Sequence, residues 1–249
     1  MSNKYGLSFI TDNDLFEHVK ETIEKYRFTI NLKEFNKNLV DPIKLTFDSK
    51  IYRKTIEEII ESESLRQIDK SNTNHIGYFH QNIFKYFDGW DVPTQGFDAI
   101  NETLKIYVEM KNKHNTMNSA SAQKTYIKMQ NKILRDDEAT CYLVEIIAKN
   151  SQDIKWSISL DSEPVSNKNI RRISIDKFYE IVTGEKDSFK NLCEQIPKVI
   201  DDVINEGDVR SAENTVFEEL KELSPDTLKS IYLLSFAKYQ GFEDLNIVK

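Results

Sequence analysis

The sequence predicts a mixed α/β (α+β) fold in which a central mixed sheet is flanked by helices, with extra helices at the N- and C-terminal ends. Three observations predict it. Apolar residues in the first third recur at helical spacing, those around residues 96–111 alternate with period two, and residues 139–148 form an almost wholly apolar run of strand length.

In chain order, residues 14–27 place Leu15, Phe16, Val19, Ile23 and Tyr26 on one helical face. A second helix is expected over 52–68, with Ile56, Ile59 and Ile60 inward. Ser71-Asn72-Thr73-Asn74 reads as a loop introducing a third helix over 75–87, which carries Ile76, Phe79, Ile83, Phe84 and Phe87. Gly96-Phe97-Asp98-Ala99-Ile100 and the run from Leu104 to Lys111 then read as two strands joined by Asn101-Glu102-Thr103, with Ile106, Val108 and Met110 on one face. Residues 119–134 return to helical spacing. Ala122, Tyr126, Met129 and Ile133 form the inner stripe, and Lys124, Lys128 and Lys132 recur every fourth residue, which places them outside. Residues 139–148 read as a strand buried on both faces, further strands are expected at 156–160 and 172–175, and helices from Asp176 onward. The domain reading that follows is a helical region over 1–74, a core over 75–205 and a helical tail over 206–249, packed as one globular unit.

The 249 residues are enough to bury a substantial core, and 39% hydrophobic content with 11% aromatics excludes a disordered chain. No apolar run is long enough for a membrane helix, and Met1-Ser2-Asn3-Lys4-Tyr5 lacks a signal peptide's apolar stretch, so a cytoplasmic protein with no membrane partner is expected. Cys141 and Cys193 both lie in apolar segments and are expected as buried free thiols. Net charge is −7, but its distribution is uneven. Residues 104–135 carry Lys105, Lys111, Lys113, Lys124, Lys128, Lys132 and Arg135 against Glu109 alone, whereas 201–226 is strongly acidic. A local basic surface on an acidic protein suits a DNA enzyme of limited non-specific affinity.

Acidic-x-Lys occurs four times, at Asp48, Glu109, Asp153 and Glu219. Only the Glu109 copy combines strand alternation, an Asp on a separate preceding strand and a buried strand to follow. Glu109 and Lys111 share one strand face, and the turn brings Asp98 alongside. Two close carboxylates resist joint ionisation unless a cation lies between them. Mg²⁺ answers that need, because it takes oxygen ligands and retains waters that become nucleophiles. Lys111 would orient or deprotonate the attacking water, or stabilise charge in the transition state.

The Gly96-Phe97-Asp98 … Val108-Glu109-Met110-Lys111 arrangement resembles the PD-(D/E)xK nuclease superfamily, with Phe-Asp in place of Pro-Asp. A closer resemblance runs through His80-Gln81-Asn82-Ile83-Phe84, Gly89-Trp90-Asp91-Val92-Pro93, Asn112-Lys113-His114-Asn115-Thr116-Met117-Asn118 and Ser121-Ala122-Gln123-Lys124-Thr125-Tyr126. It continues through Ala139-Thr140-Cys141-Tyr142-Leu143-Val144-Glu145 and Arg171-Arg172-Ile173-Ser174-Ile175-Asp176. Across residues 75–205 the chain is similar to the type II restriction endonucleases that recognise GGNCC. The resemblance implies a restriction-endonuclease-like core and Mg²⁺-dependent hydrolysis of double-stranded DNA to 5′-phosphates, with Mn²⁺ as a substitute metal. It further implies a homodimer and a cognate DNA methyltransferase in the same system. Asp98 and Glu109 would bind the metal and Lys111 would assist water attack. Another nuclease of the superfamily, an inactive DNA-binding relative and a non-DNA interaction protein are the rival readings.

Other residues carry two readings each. Asn112, Lys113, His114, Asn115, Asn118, Ser121 and Gln123 have side chains suited to base edges, and Lys124 and Lys128 suit phosphates. Asn118 or Ser119 equally suits a helix N-cap. Gln81 and His80 are possible accessory residues, Gln81 occupying a position where many superfamily members carry a metal-reaching Glu. Trp90 and Trp156 read as core. Glu145, inside an apolar strand, needs a partner: Arg171, Arg172 or the site itself.

Overall fold

The computed structural model describes residues 4–207 and 213–236. The elements in order are α1 (Asp12–Lys25), β1 (Thr29–Ile30), α2 (Leu32–Asn36), α3 (Pro42–Tyr52), α4 (Ile56–Asn82) and a 3-10 turn (Ile83–Tyr86). Then come β2 (Ala99–Asn101), β3 (Ile106–Lys113), α5 (Ser119–Arg135), β4 (Thr140–Ile147), β5 (Asp153–Leu160), β6 (Glu163–Ser174), α6 (Ile175–Thr183), α7 (Ser188–Glu206), β7 (Glu213–Asn214), α8 (Val216–Leu223) and α9 (Thr227–Phe236). They form two compact units, residues 4–24 with 76–207 and residues 25–75 with 213–236.

The first unit holds a five-stranded mixed sheet of order β2-β3-β4-β6-β5. β3, β4 and β6 are parallel, and antiparallel strands close both edges. A parallel β3–β4 pair needs a crossover, and α5 supplies it. Strand alternation sorts the core into two layers. Ile106, Val108 and Met110 of β3, with Tyr142 and Val144 of β4, pack against Leu15 and Val19 of α1, Phe178 and Tyr179 of α6, and Leu192 and Val199 of α7. Tyr107, Cys141, Leu143, Trp156 and Ile170 face the other way, onto Tyr126, Met129 and Ile133 of α5. The sheet is thus flanked by helices on both faces, the architecture expected, and Trp90 and Trp156 are both core residues. The β5–β6 hairpin turns through Asp161 and Ser162, both at positive φ, which suits a two-residue connection.

In the second unit β1 and β7 pair in parallel, and Phe35, Leu45, Ile60, Val216, Leu220 and Ile231 form its core. The expected acidic run and C-terminal tail are only partly described, since residues 208–212 and 237–249 lie outside the described residues.

Several boundaries differ from expectation. Residues 71–74 are not a loop: α4 runs unbroken from Ile56 to Asn82. The turn-favouring Asn72 is used inside the helix, where its amide accepts from the Arg27 backbone N–H at 2.8 Å and donates to the Arg27 carbonyl at 3.3 Å. A tertiary tie has overridden local propensity. The helix expected from Tyr52 starts later, at a capping box in which Thr55 and Glu58 exchange side-chain-to-backbone bonds of 3.2 and 2.7 Å. Its expected first residue, Tyr52, is the last of α3, which is capped by Arg53 in the left-handed region, φ 54°. β6 is longer than residues 172–175, and Ile175 opens α6. Cys141 is buried and its thiol is pushed up to about 12 by burial, but Cys193 is exposed, because it lies on the outer side of α7 rather than among its inner apolar residues.

Candidate active site

The β2–β3 hairpin builds the site. Its antiparallel register pairs Ala99 with Val108 and Asn101 with Ile106. The turn is tightened by Asn101, whose side chain accepts from the Leu104 N–H at 2.9 Å. Asp98, just before β2, donates its backbone N–H to the Val108 carbonyl at 2.8 Å, and its carboxylate accepts from the Met110 N–H at 2.7 Å. Asp98 is therefore anchored to the residues on both sides of Glu109. Gln81, at the end of α4, donates its amide to the Asp98 carbonyl at 3.1 Å and to the carboxylate at 3.3 Å.

Glu109 is 8% exposed and points to the α5 side of β3, with Tyr107 and Lys111. One carboxylate oxygen lies 3.7 Å from the Lys111 ammonium, and the other is bound by the ammonium of Lys128. Lys128 also donates to the Gly96 carbonyl at 2.5 Å, and its ammonium stands 4.4 Å from the centre of the Phe97 ring. The sequence places this lysine outside, and the structure corrects that. A helix advances about 100° per residue, so a step of four residues drifts by about 40°. Lys124 faces away from the buried stripe of Tyr126, Met129 and Ile133 and is exposed. Each later lysine swings toward the sheet, until Lys132 lies 3.9 Å from the centre of the Tyr107 ring.

The remaining candidates are distributed around this cluster. His80 does not reach Asp98. It packs edge-on to Phe79, its Nδ1 is buried without a hydrogen-bond partner, and burial, then the nearby His18, pull its pKa down to about 4. His114 turns inward and donates its Nδ1–H to the carboxylate of Glu145, at 2.9 and 3.1 Å. Glu145 is 2% exposed, lies beside Lys111 in register, and has Arg172 at 3.5 Å. Arg171 points to the opposite face and pairs with Asp153. Asn112 lies against Gly77, where an added Cβ would stand 3.2 Å from its amide oxygen. Asn118 caps α5, its side chain accepting from the Ser121 N–H at 2.8 Å, and Gln123 donates to the Ser159 carbonyl at 2.9 Å. Lys113, Asn115, Ser121 and Lys124 are exposed. A cleft of about 210 Å³ opens beside Lys111, lined among others by Lys113, Asn115, Gln123, Glu145 and Arg172.

Among the described residues no group of three or more His, Cys, Asp or Glu is placed to hold a metal ion. The hairpin offers two carboxylates, a donor set that suits Mg²⁺, which is commonly bound by one or two carboxylates plus substrate phosphates and waters. Both Glu109 oxygens already carry an ammonium group, so a metal would have to compete with Lys111 and Lys128 for that carboxylate. Sequence reasoning missed Lys128 and Phe97 as members of this cluster. The only sequence signal was the position of Lys128, one residue before the inward Met129.

A family model described as Eco47II restriction endonuclease matches residues 7–205. The chain is 35% identical over 217 residues to the type II restriction enzyme Sau96I of Staphylococcus aureus, covering 82% of this chain and 83% of that protein. It is 32% identical over 213 residues to the type II restriction enzyme Eco47II of Escherichia coli, covering 80% and 89%. The match extends well upstream of residue 75, where the resemblance read from the sequence begins.

Proposed function

The chain belongs to the Eco47II restriction endonuclease family and is a type II restriction endonuclease; we propose that it cuts double-stranded DNA at GGNCC with Mg²⁺, through Asp98, Glu109 and Lys111. The observation that carries the site assignment is the anchoring of Asp98 to Val108 and Met110, on either side of Glu109, with Lys111 3.7 Å from the Glu109 carboxylate. Asp98 and Glu109 would hold the metal, and Gln81 would fix the Asp98 carboxylate from behind. When bound, Mg²⁺ supplies Lewis-acid stabilisation of charge on the phosphate oxygens and a more acidic water.

The ammonium of Lys111 orients the attacking water and offsets charge as it develops. The water oxygen bonds to phosphorus and gives up a proton to solvent, the bond from phosphorus to the 3′ oxygen breaks, and that oxygen takes a proton from solvent to leave as a hydroxyl. The phosphate stays on the 5′ end. The cleft beside Lys111 and the exposed Lys113, Asn115, Ser121 and Lys124 form the DNA-facing side in this reading, with residues 75–205 as the nuclease core. A palindromic site calls for a two-fold protein, so a homodimer is proposed, and a self-cutting host calls for a cognate methyltransferase. Among the described residues no helix is long and apolar enough to cross a membrane, and the DNA substrate places the proposed work in the cytoplasm.

The test is digestion of a sequenced plasmid with Mg²⁺, followed by mapping of the cut ends. Discrete fragments ending within GGNCC are expected. A smear would mean a nuclease without this specificity, and no cutting with Mg²⁺ or Mn²⁺ would overturn the catalytic assignment.

A further inference from the structure

Glu109 is held by two ammonium groups that reach it from different elements. Lys111 comes from its own strand, 3.7 Å away, and Lys128 comes across from α5 onto the other oxygen. Lys128 is fixed by more than that ion pair, since the Gly96 carbonyl accepts from it at 2.5 Å and the Phe97 ring lies beneath it at 4.4 Å. A long side chain held by three partners around one carboxylate is not a solvated surface lysine. The charges also balance: Asp98 and Glu109 against Lys111 and Lys128. A divalent ion entering this cluster would meet two positive charges at short range, one of them seated on an oxygen it would use as a ligand.

We propose that Lys128 is a positioning residue that acts as an internal counter-ion: it holds Glu109 in place and must be displaced before a divalent metal loads, so the free protein binds metal weakly. The inference rests on the reading of Asp98 and Glu109 as metal carriers. Displacement would free the Lys128 ammonium for a phosphate, the partner its residue type suggests from sequence.

The experiment is Mn²⁺ binding to the full-length chain without DNA, followed by the paramagnetic resonance signal of free Mn²⁺. Wild type is compared with Lys128→Met, Lys128→Gln, Glu109→Gln and Lys124→Met. Lys128→Gln keeps a donor for the Gly96 carbonyl and serves if the Met variant fails to fold. Lys124→Met makes the same charge change at an exposed position of the same helix. Both Lys128 variants are expected to bind Mn²⁺ tighter than wild type by about tenfold or more, given the repulsion between close like charges in a half-buried site. Lys124→Met is expected to stay within about twofold, as a screened surface charge should. Unchanged or weaker Mn²⁺ binding in the Lys128 variants, with binding lost in Glu109→Gln, would overturn this inference alone. Equal binding by Lys128→Met and by the same variant carrying Glu109→Gln would overturn the metal-carrier reading and this inference with it.

Discussion

Replacing Glu145 with Gln should destabilise the sheet unit without touching Asp98 or Glu109. The Glu145 side chain is 2% exposed, accepts from His114 Nδ1 at 2.9 and 3.1 Å, and lies 3.5 Å from Arg172 Nε. His114 and Arg172 are themselves only 16% and 20% exposed. Removing one partner of a buried pair leaves the other's charge uncompensated, at a cost of about 3–5 kcal/mol when burial is complete. Arg172 keeps some solvent and the Trp156 ring, 5.9 Å away, so about 2–3 kcal/mol is the fitting range. With a urea slope of about 2 kcal/mol per molar, the unfolding midpoint should fall by roughly 1 M. Tryptophan emission is the readout, because Trp90 and Trp156 are the only tryptophans and both are buried in this unit. Glu163→Gln, at an exposed position of β6, is the control and should shift the midpoint little. Equal midpoints for the two variants would refute the structural role. Weakened Mn²⁺ binding by a folded Glu145→Gln would instead assign this residue to the site.

Asp98→Asn, Glu109→Gln and Lys111→Ala should each slow single-turnover plasmid cleavage by about 10²–10⁴-fold while duplex binding persists; near-wild-type cutting would remove that residue from the catalytic set. Lys124→Ala should weaken duplex binding and lower the slope of log affinity against log salt by about one, and an unchanged slope would dismiss the phosphate contact. His80, with its pKa pulled from about 6.5 down to about 4 by burial, binds its proton later than in the unfolded chain as pH falls. Stability is thus intact above about pH 6.5 and drops between there and pH 4, at up to about 1.4 kcal/mol per pH unit. His80→Phe should flatten that part of a urea-midpoint profile, and an unaltered slope would reject the assignment. Of the two thiols, Cys193 should react with a disulfide reagent in the native protein and Cys141 only after unfolding, since Cys141 is buried and its thiolate is suppressed.

The sheet and its helices were legible because their signals are local. Period-two alternation predicts that Ile106, Val108 and Met110 share one face of β3, and in the structure that face meets α1, α6 and α7. The apolar run around Leu143 predicts a strand covered on both sides, and β4 is central, between β3 and β6. What was hidden depends on distant partners. Asn72 reads as a turn residue until the Arg27 backbone is seen to occupy its amide. Glu145 needed a partner, and the sequence left Arg171 and Arg172 both open; the register that pairs Glu145 with Ser174 is what puts Arg172 on its face. The more intimate partner, His114, lies in the loop beyond β3, where no periodicity applies.

The lysines of α5 show how far a one-dimensional pattern carries. A spacing of four looks constant along the chain, yet on a helix it is a slow rotation. Lys124 remains in solvent, Lys128 arrives over Glu109, and Lys132 over Tyr107, whose hydroxyl is held by Glu102 at 2.6 Å. Three residues of one type, evenly spaced, therefore meet three different environments. Only Lys124 keeps the solvated charge on which the salt dependence of DNA binding can draw without first breaking an internal contact. The basic stretch over residues 104–135 overstates the positive charge available to a phosphate backbone for the same reason. Lys105 is matched by Asp136 and Glu138, Lys128 by Glu109, and Lys132 sits against an aromatic face. Much of what reads in sequence as a binding surface is used inside the unit, holding the hairpin, α5 and the Glu109 carboxylate in register.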